Sequence, residues 1–291
     1  MHVLTLIADR KAAPLTGALV GRVRDAIGGS ITIDVLSRGE ALDLTVHTAP
    51  DLEAVRTALD GAPVDAIAQR LEGRRKRLLI ADMDSTIVTC ETLDELADFA
   101  GLKERIAAIT ARAMNGELDF KAALRERVAM LKGLPIAALQ QTWQRVRLTS
   151  GAQELVATMR ANGAMTALVS GGFTFFTQRV AMMVGFDVHR SNVLLDDGAV
   201  LTGSVAEPIL DRHAKLATLR ELAVRDGLAP QVTLAVGDGA NDLDMLREAG
   251  LGVAFHAKPI VAAAARARVD HADLRALLFA QGYRAREFIT A

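Results

Sequence analysis

Apolar and polar positions follow two different patterns along the chain. In the first seventy residues, Val3 to Ile7 is a short apolar run of strand length. Leu15, Leu19 and Val23 then recur at helical spacing and stop at Gly28-Gly29. Ile31, Ile33 and Val35 alternate with Thr32 and Asp34. After a turn at Arg38-Gly39, Leu42, Leu44 and Val46 alternate with Asp43 and Thr45. That period of two predicts a pair of half-buried antiparallel strands. Asp51 can cap a helix carrying Leu52, Val55 and Leu59. The predicted order over residues 1–72 is βαββα, a small α+β unit. The basic run Arg74-Arg75-Lys76-Arg77 is expected to be a solvated approach to the next strand.

From Leu78 onward, short fully apolar runs alternate with amphipathic helical stretches, the pattern of a parallel sheet covered on both faces. The runs are Leu78–Ala81, Met165–Val169, Val232–Val236 and Leu251–Phe255. Asp197-Gly198, inside VLLDDGAVLTG, predicts a hairpin. Residues 73–291 therefore read as a Rossmann-like α/β unit. More residues separate the first two runs than one crossover helix needs, and about 91–147 are strongly helical. Loops at the carboxyl ends of parallel strands ring the usual ligand crevice, so this insertion is expected to form a cap over it.

Composition narrows the function classes. The 291 residues are 51% hydrophobic and 24% charged, with 34 basic against 35 acidic side chains. A net charge of −1 gives no basic footprint for nucleic acid or an anionic membrane surface. One cysteine excludes an internal disulfide framework and a cysteine-rich zinc site. No apolar run approaches the ~20 residues of a spanning helix. The first apolar run lacks a basic approach and is stopped by Asp9-Arg10-Lys11, so no secretory leader is expected and the location is expected to be cytoplasmic.

Three apolar strands are each followed at once by residues a packed core would not choose. The sets are Asp82-Met83-Asp84-Ser85-Thr86, Ser170-Gly171-Gly172 and Gly237-Asp238-Gly239-Ala240-Asn241-Asp242. If the strands are adjacent and parallel, these sets meet at one sheet edge. Crowded carboxylates repel unless a cation joins them, and oxygen-only ligands favour a hard ion, Mg²⁺ before Ca²⁺ or zinc. Glycine-rich amides and a serine hydroxyl beside that ion suit phosphate, with one aspartate as nucleophile and a second two residues on as general acid and base.

The same residues carry a resemblance. DMDST, SGG and GDGANDLDM resemble the motifs of haloacid dehalogenase-like phosphohydrolases. More narrowly, DMDSTIVTCETLDELA, TARAMNGELDFKAALRERVAML, LVSGGF and VGDGANDLDM resemble the phosphoserine phosphatase family, from about residue 74 to the DLRALLFAQGY tail. The resemblance implies a fold of haloacid dehalogenase type and a Mg²⁺-dependent hydrolase forming an aspartyl-phosphate. Asp82 is then the nucleophile and a metal ligand. Asp84 is the acid and base, with its backbone carbonyl on the metal, and Asp238 is the remaining carboxylate ligand. Asn241 and Asp242 support the site, while Ser170, the Gly171 amide and Lys215 hold the phosphoryl group. Lys215 near the start of its helix is misplaced for the helix dipole, and that misplacement together with the resemblance favours an anionic partner.

In the insertion, Phe120, Leu124, Val128 and Leu131 form one helical stripe that Arg127 shares. A guanidinium on an apolar face wants a carboxylate, either in a structural ion pair or on a ligand. The family resemblance implies Arg127 on the substrate carboxylate, Glu91 on its ammonium, and Met114 and Phe120 as the apolar wall. The expected reaction is hydrolysis of O-phospho-L-serine to L-serine and phosphate, the last step of serine biosynthesis. The alternatives are a phosphatase for phosphothreonine or phosphoethanolamine, or an amino-acid-sensing regulatory protein with weak catalysis. Residues 1–72 resemble an ACT-type domain in element order, without the Pro-Gly that usually follows Asp-Arg in ligand-binding members. A homodimer is possible.

Overall fold

The computed structural model describes residues 1–9, 11 and 15–290. Of the turn after the first strand, Arg10 and Ala12 to Pro14 lie outside the described residues. Alternating apolar positions build the first sheet from β1 (His2–Ala8), β2 (Thr32–Ser37), β3 (Ala41–Val46) and β4 (Val64–Arg70). Two helices, α1 (Gly17–Ile27) and α2 (Leu52–Leu59), cross one face. Thr16 caps α1 through the Leu19 amide, and Asp51 caps α2 through the Glu53 and Ala54 amides. The sheet order is β2-β3-β1-β4, all antiparallel.

Two expectations change here. The unit is βαββαβ, because VDAIAQR forms β4, a strand whose alternation is broken by Asp65 and Gln69. Ile33 and Val35 are 42% and 51% exposed, because β2 is the sheet edge and the apolar cluster under the helices is built on Leu4, Leu6, Leu42, Leu44 and Val64.

The other face of that sheet is not solvated. Ile7, Leu36, Ala41 and Ile67 join the same apolar cluster as Leu79, Leu277 and Phe279 of the second unit. Asp43, predicted to face water, is buried and takes a bidentate contact from Arg74, at 2.6 and 2.7 Å. Arg74 also donates to Thr5 Oγ1 and to the carbonyls of Phe279 and Ala280. The basic run is therefore only half solvated: Arg75 and Arg77 are exposed, whereas Arg74 and Lys76 are buried. Lys76 Nζ donates to the Gly73 and Gln231 carbonyls, so each buried cation is hydrogen-bonded, as burial of charge requires. Asp65 of β4 accepts amides from Asp270, His271 and Ala272, and Glu40 pairs with Arg275.

The second unit starts at β5 (Leu78–Ala81). Four helices follow in the insertion: α3 (Thr92–Asp98), α4 (Lys103–Met114), α5 (Phe120–Ala129) and α6 (Ala137–Arg145). Its two entry strands touch where Val88 bridges Leu148. Next come α7 (Ala152–Ala161), β6 (Met165–Phe173), α8 (Thr174–Val184) and β7 (Val188–Asn192). The hairpin of β8 (Leu194–Asp196) and β9 (Leu201–Val205) turns at Asp197-Gly198, as its sequence predicts. Then come α9 (Arg212–Arg225), β10 (Thr233–Gly237), α10 (Leu243–Glu248), β11 (Leu251–Phe255), α11 (Pro259–Ala264), β12 (Ala267–Val269) and α12 (Ala276–Ala280).

Six strands form a parallel sheet in the order β12-β11-β10-β5-β6-β7. Its edge strands β7 and β12 escape the apolar-run criterion, since VHRSN is polar and ARV is only three residues long. The central strands carry unbroken apolar runs because both faces are covered. Strand order reverses between β5 and β10, and a doubly wound sheet opens its ligand crevice at that point.

Candidate active site

The loops after β5 and β10 leave side by side at the switch point. Asp82 is buried, and its Oδ1 accepts the Met83 amide at 2.8 Å and Lys215 Nζ at 2.7 Å. Its Oδ2 is thereby left for a ligand. Ser85 adopts φ 55° and turns the chain so that Val88 N–H returns to the Met83 carbonyl. Asp84 Oδ1 accepts the Thr92 amide at 2.8 Å, at the start of α3, and its Oδ2 lies 3.3 Å from Ser170 Oγ. The loop after β5, the insertion and β6 thus meet at one carboxyl group.

Lys215 is 1% exposed and reaches across from α9 to Asp82 and Asp242. Asp211 caps that helix by accepting the His213 and Ala214 amides. Burial opposes the lysine's charge, but Asp242 and Asp82 more than offset it and hold its pKa above the usual range. Asp242 accepts Lys215 with Oδ1 and the Gly239 amide with Oδ2, so neither oxygen is spare. Asp82, Asp238 and Asp242 each offer an oxygen within 4.8 Å of the others. The oxygens left over belong to Asp82 and Asp238, whose buried Oδ2 has no hydrogen-bond partner.

Electrostatics tell the same story. Burial, then Glu91 and Asp242, push Asp238 up to about 8. Burial, then Glu91, pushes Asp84 up to about 7. Burial and Asp242 also raise Asp82, with Lys215 pulling the other way. Lys258 Nζ stands 3.5 Å from Asp238 Oδ2 and answers part of this excess. A cluster whose anions are this costly, with a buried carboxylate oxygen unpartnered, fits a hard divalent cation.

Ser170 Oγ accepts the Gly172 amide at 2.9 Å, and Asn192 donates to the Gly171 carbonyl at 2.8 Å. Asn192 also accepts the Leu210 amide, tying the glycine loop to the segment that leads into α9. Sequence reasoning gave Asn192 no role, because it lies in a polar edge strand without a motif. Glycine is required twice here. A Cβ on Gly171 would fall 2.6 Å from Phe120 Cζ, and one on Gly172 would fall 2.8 Å from Asp84 Oδ2.

The insertion roofs this floor. Glu91, Met114, Phe120 and Arg127 line one cavity with Asp82, Asp84, Ser170, Gly171, Asp238 and Asn241. Lys215 and Asp242 lie behind Asp82 rather than in the cavity wall. Arg127 is 3% exposed, with Nε on the Ala123 carbonyl at 3.2 Å and Nη1 on Thr110 Oγ1 at 2.9 Å. Glu91 accepts from Ser85 Oγ at 2.7 Å. Asn241 Oδ1 is buried without a donor. Cys90 does not join the chemistry: burial pushes its thiol up to about 12.

The enclosed space is only about 30 Å³, room for one or two waters. Lys121–Asp211 at 3.0 Å and Arg125–Glu207 at 2.6 Å tie α5 to the approach to α9. The β8–β9 hairpin also grips the insertion through backbone bonds from Gly133 and Ile136 to Leu201 and Ala199. The roof leaves and rejoins the sheet at residues 87–89 and 147–149, which pair through short backbone bonds.

A family model described as haloacid dehalogenase-like hydrolase matches residues 79–247, more than half of the chain. The chain belongs to the haloacid dehalogenase-like hydrolases. Among curated relatives, a phosphoserine phosphatase of Archaeoglobus fulgidus is 45% identical over 188 residues, 65% of this chain and 55% of that protein. The chain thus spans about half the length of that relative. A phosphoserine phosphatase of Streptomyces coelicolor is 37% identical over 290 residues, 96% of this chain and 70% of that protein. A solved haloacid dehalogenase-family hydrolase from Salmonella enterica superposes with a TM-score of 0.85 at 31% identity, covering 96% of this chain and 98% of the other. The family match contains Asp82, Asp84, Ser170, Lys215 and Asp238, and it includes the roof. Among the described residues no helix is long and apolar enough to cross a membrane.

Proposed function

We propose that this hydrolase converts O-phospho-L-serine to L-serine and phosphate, with the phosphoryl group carried transiently on Asp82. The observation that carries the reading is one cavity lined by Asp82 with Ser170 and Gly171, by the buried Arg127 guanidinium and by the Glu91 carboxylate. Those three groups complement a phosphate, an α-carboxylate and an α-ammonium. Relatives bearing the phosphoserine phosphatase name support it.

Asp82 Oδ2 attacks phosphorus while Oδ1 stays on the Met83 amide and Lys215, which orient the carboxylate. As the ester P–O bond breaks, Asp84 gives its proton to the serine oxygen. An acid held near pH 7 suits that task. Asp84 then takes a proton from the water that attacks the aspartyl-phosphate, phosphate leaves, and both carboxyl groups return to their starting states. Ser170 and the Gly171 amide hold the phosphoryl oxygens, and Lys215 balances their charge. Asp82, Asp238 and the Asp84 carbonyl would hold Mg²⁺. When bound, that ion neutralises charge on the transferring group. Asp242 anchors Lys215, and Asn241 offers its free oxygen to a donor on the ligand. Arg127 takes the substrate carboxylate, Glu91 its ammonium, and Met114 and Phe120 exclude water.

The same proposal divides the chain at residues 1–72 and 73–291, with the cap at about 91–147. An ACT-like assignment for the first part rests on its βαββαβ order. Cytoplasmic location and action as a homodimer rest on the sequence reading.

The test is phosphate release from O-phospho-L-serine with Mg²⁺, beside an EDTA control and Asp82→Asn. Metal-dependent release abolished by the substitution is expected. Release that persists in Asp82→Asn would overturn the mechanism, and none from the folded wild type would overturn the activity.

A further inference from the structure

Arg127 is a buried cation without a direct counter-ion. Among the described residues its only protein partners are the Ala123 carbonyl and the Thr110 hydroxyl. A guanidinium has five N–H groups, so three are left over for the cavity that Arg127 lines. Thr110, on α4, is itself 3% exposed, and its Oγ1 lies 2.6 Å from Asp94 Oδ1, on α3. The Ile106 carbonyl is the only other acceptor, at 3.1 Å. A hydroxyl has one hydrogen, and the shorter, charge-assisted bond to the carboxylate claims it. The lone pairs of Thr110 are then fixed toward Arg127 Nη1.

Resting on the assignment of Arg127 to the substrate carboxylate, we propose that Thr110 and Asp94 are positioning residues that set the specificity for a carboxylate-bearing phosphoester. The hydroxyl between anion and cation is the informative part. A carboxylate placed directly on Arg127 would form a bidentate pair and occupy the fork that the substrate needs. Held one hydroxyl away, Asp94 offsets part of the cost of burying the guanidinium while leaving its free edge unsaturated. Burial raises Asp94 to about 6, opposed first by the Thr110 hydrogen bond. The relay joins α3, α4 and α5, one residue from each, so it also holds the three helices in the arrangement that aims Arg127.

The experiment compares kcat and KM for O-phosphoserine and phosphoethanolamine, using the Mg²⁺-loaded full chain. The variants are Thr110→Val, Thr110→Ser and Asp94→Asn, each checked by its thermal midpoint. Thr110→Val keeps the volume and removes the hydroxyl. Its preference for O-phosphoserine should fall about tenfold, mainly through KM, because a buried donor of Arg127 loses its partner. Thr110→Ser restores the preference, and Asp94→Asn loses it by about three- to tenfold. Phosphoethanolamine turnover falls far less in every variant. Equal losses on both substrates would reduce the relay to a structural contact and overturn the proposal. So would a preference that survives both Thr110→Val and Asp94→Asn. A wild type with no preference for the carboxylate would instead overturn the reading of Arg127, and the relay with it. If Thr110→Val does not fold, Asp94→Asn carries the same comparison with size and acceptor oxygen retained.

Discussion

The two buried cations of the site are treated in opposite ways. Lys215 is clamped by Asp82 and Asp242 at 2.7 and 2.6 Å, whereas Arg127 rests on a hydroxyl and a carbonyl. Both are almost fully removed from solvent, at 1% and 3% exposure. Lys215 belongs to the sheet edge and is complete before any ligand arrives. Arg127 belongs to the roof and is left with donors to spare. Under the proposed function this is a division of labour: the sheet side carries the chemistry, and the roof keeps an unfilled charge for recognition.

The largest expected effect comes from the sheet side. Asp82→Asn removes the nucleophile and should lower kcat by at least about a thousandfold, read as phosphate release, with little change in binding of the product amino acid. Lys215→Met should cost about 3–5 kcal/mol, because two buried carboxylates lose their counter-ion. Calorimetry should show the loss shrinking when Mg²⁺ is added. If neither stability nor rate moves, the clamp is not what holds Asp82.

How much of this contrast was legible in the sequence follows the same division. Asp82, Asp84, Asp238 and Lys215 stood out because each follows an apolar strand or sits against a helix dipole. Their joint occurrence at one sheet edge made them visible, and the family resemblance supplied their roles. Arg127 was visible as a cation on an apolar stripe, and only the family resemblance gave it a ligand. Thr110 and Asp94 were invisible, since threonine and aspartate on adjacent helices leave no periodic trace. In the fold, the central strands announced themselves as apolar runs, while β4, β7 and β12 did not. All three are sheet edges: β4 is interrupted by Asp65 and Gln69, which bond backbone groups of the second unit, β7 is polar and β12 is only three residues long. The burial of Arg74 and Asp43 was likewise hidden, because it arises from contact between distant segments.

A pH experiment sharpens the contrast on the sheet side. Asp84 and Asp238 are raised to about 7 and about 8. Without metal, the folded chain therefore holds protons that the unfolded chain has released. Stability should fall as pH rises from about 4 to about 8. Bound Mg²⁺ favours the ionised carboxylates, so the stabilisation it adds should grow across that window. Thermal midpoints with EDTA and with Mg²⁺ measure both trends, and a metal effect independent of pH would contradict them.

The smallest effect concerns the latch between roof and sheet. Lys121 is partly exposed in its pair with Asp211, and such pairs contribute about 0.2–1 kcal/mol. Lys121→Ala should change kcat by no more than about fivefold, and the change should shrink in high salt. A larger, salt-insensitive loss would place Lys121 in the binding site itself.

The most direct test of the account is the ratio of kcat/KM for O-phosphoserine to that for phosphoethanolamine, in the wild type and in Arg127→Ala. The two esters differ by the carboxylate alone. The account predicts a strong preference for O-phosphoserine in the wild type, and its collapse by about tenfold or more in the variant, while phosphoethanolamine is hydrolysed nearly as before. A preference that survives in Arg127→Ala would contradict it, and recognition would then have to lie elsewhere in the roof.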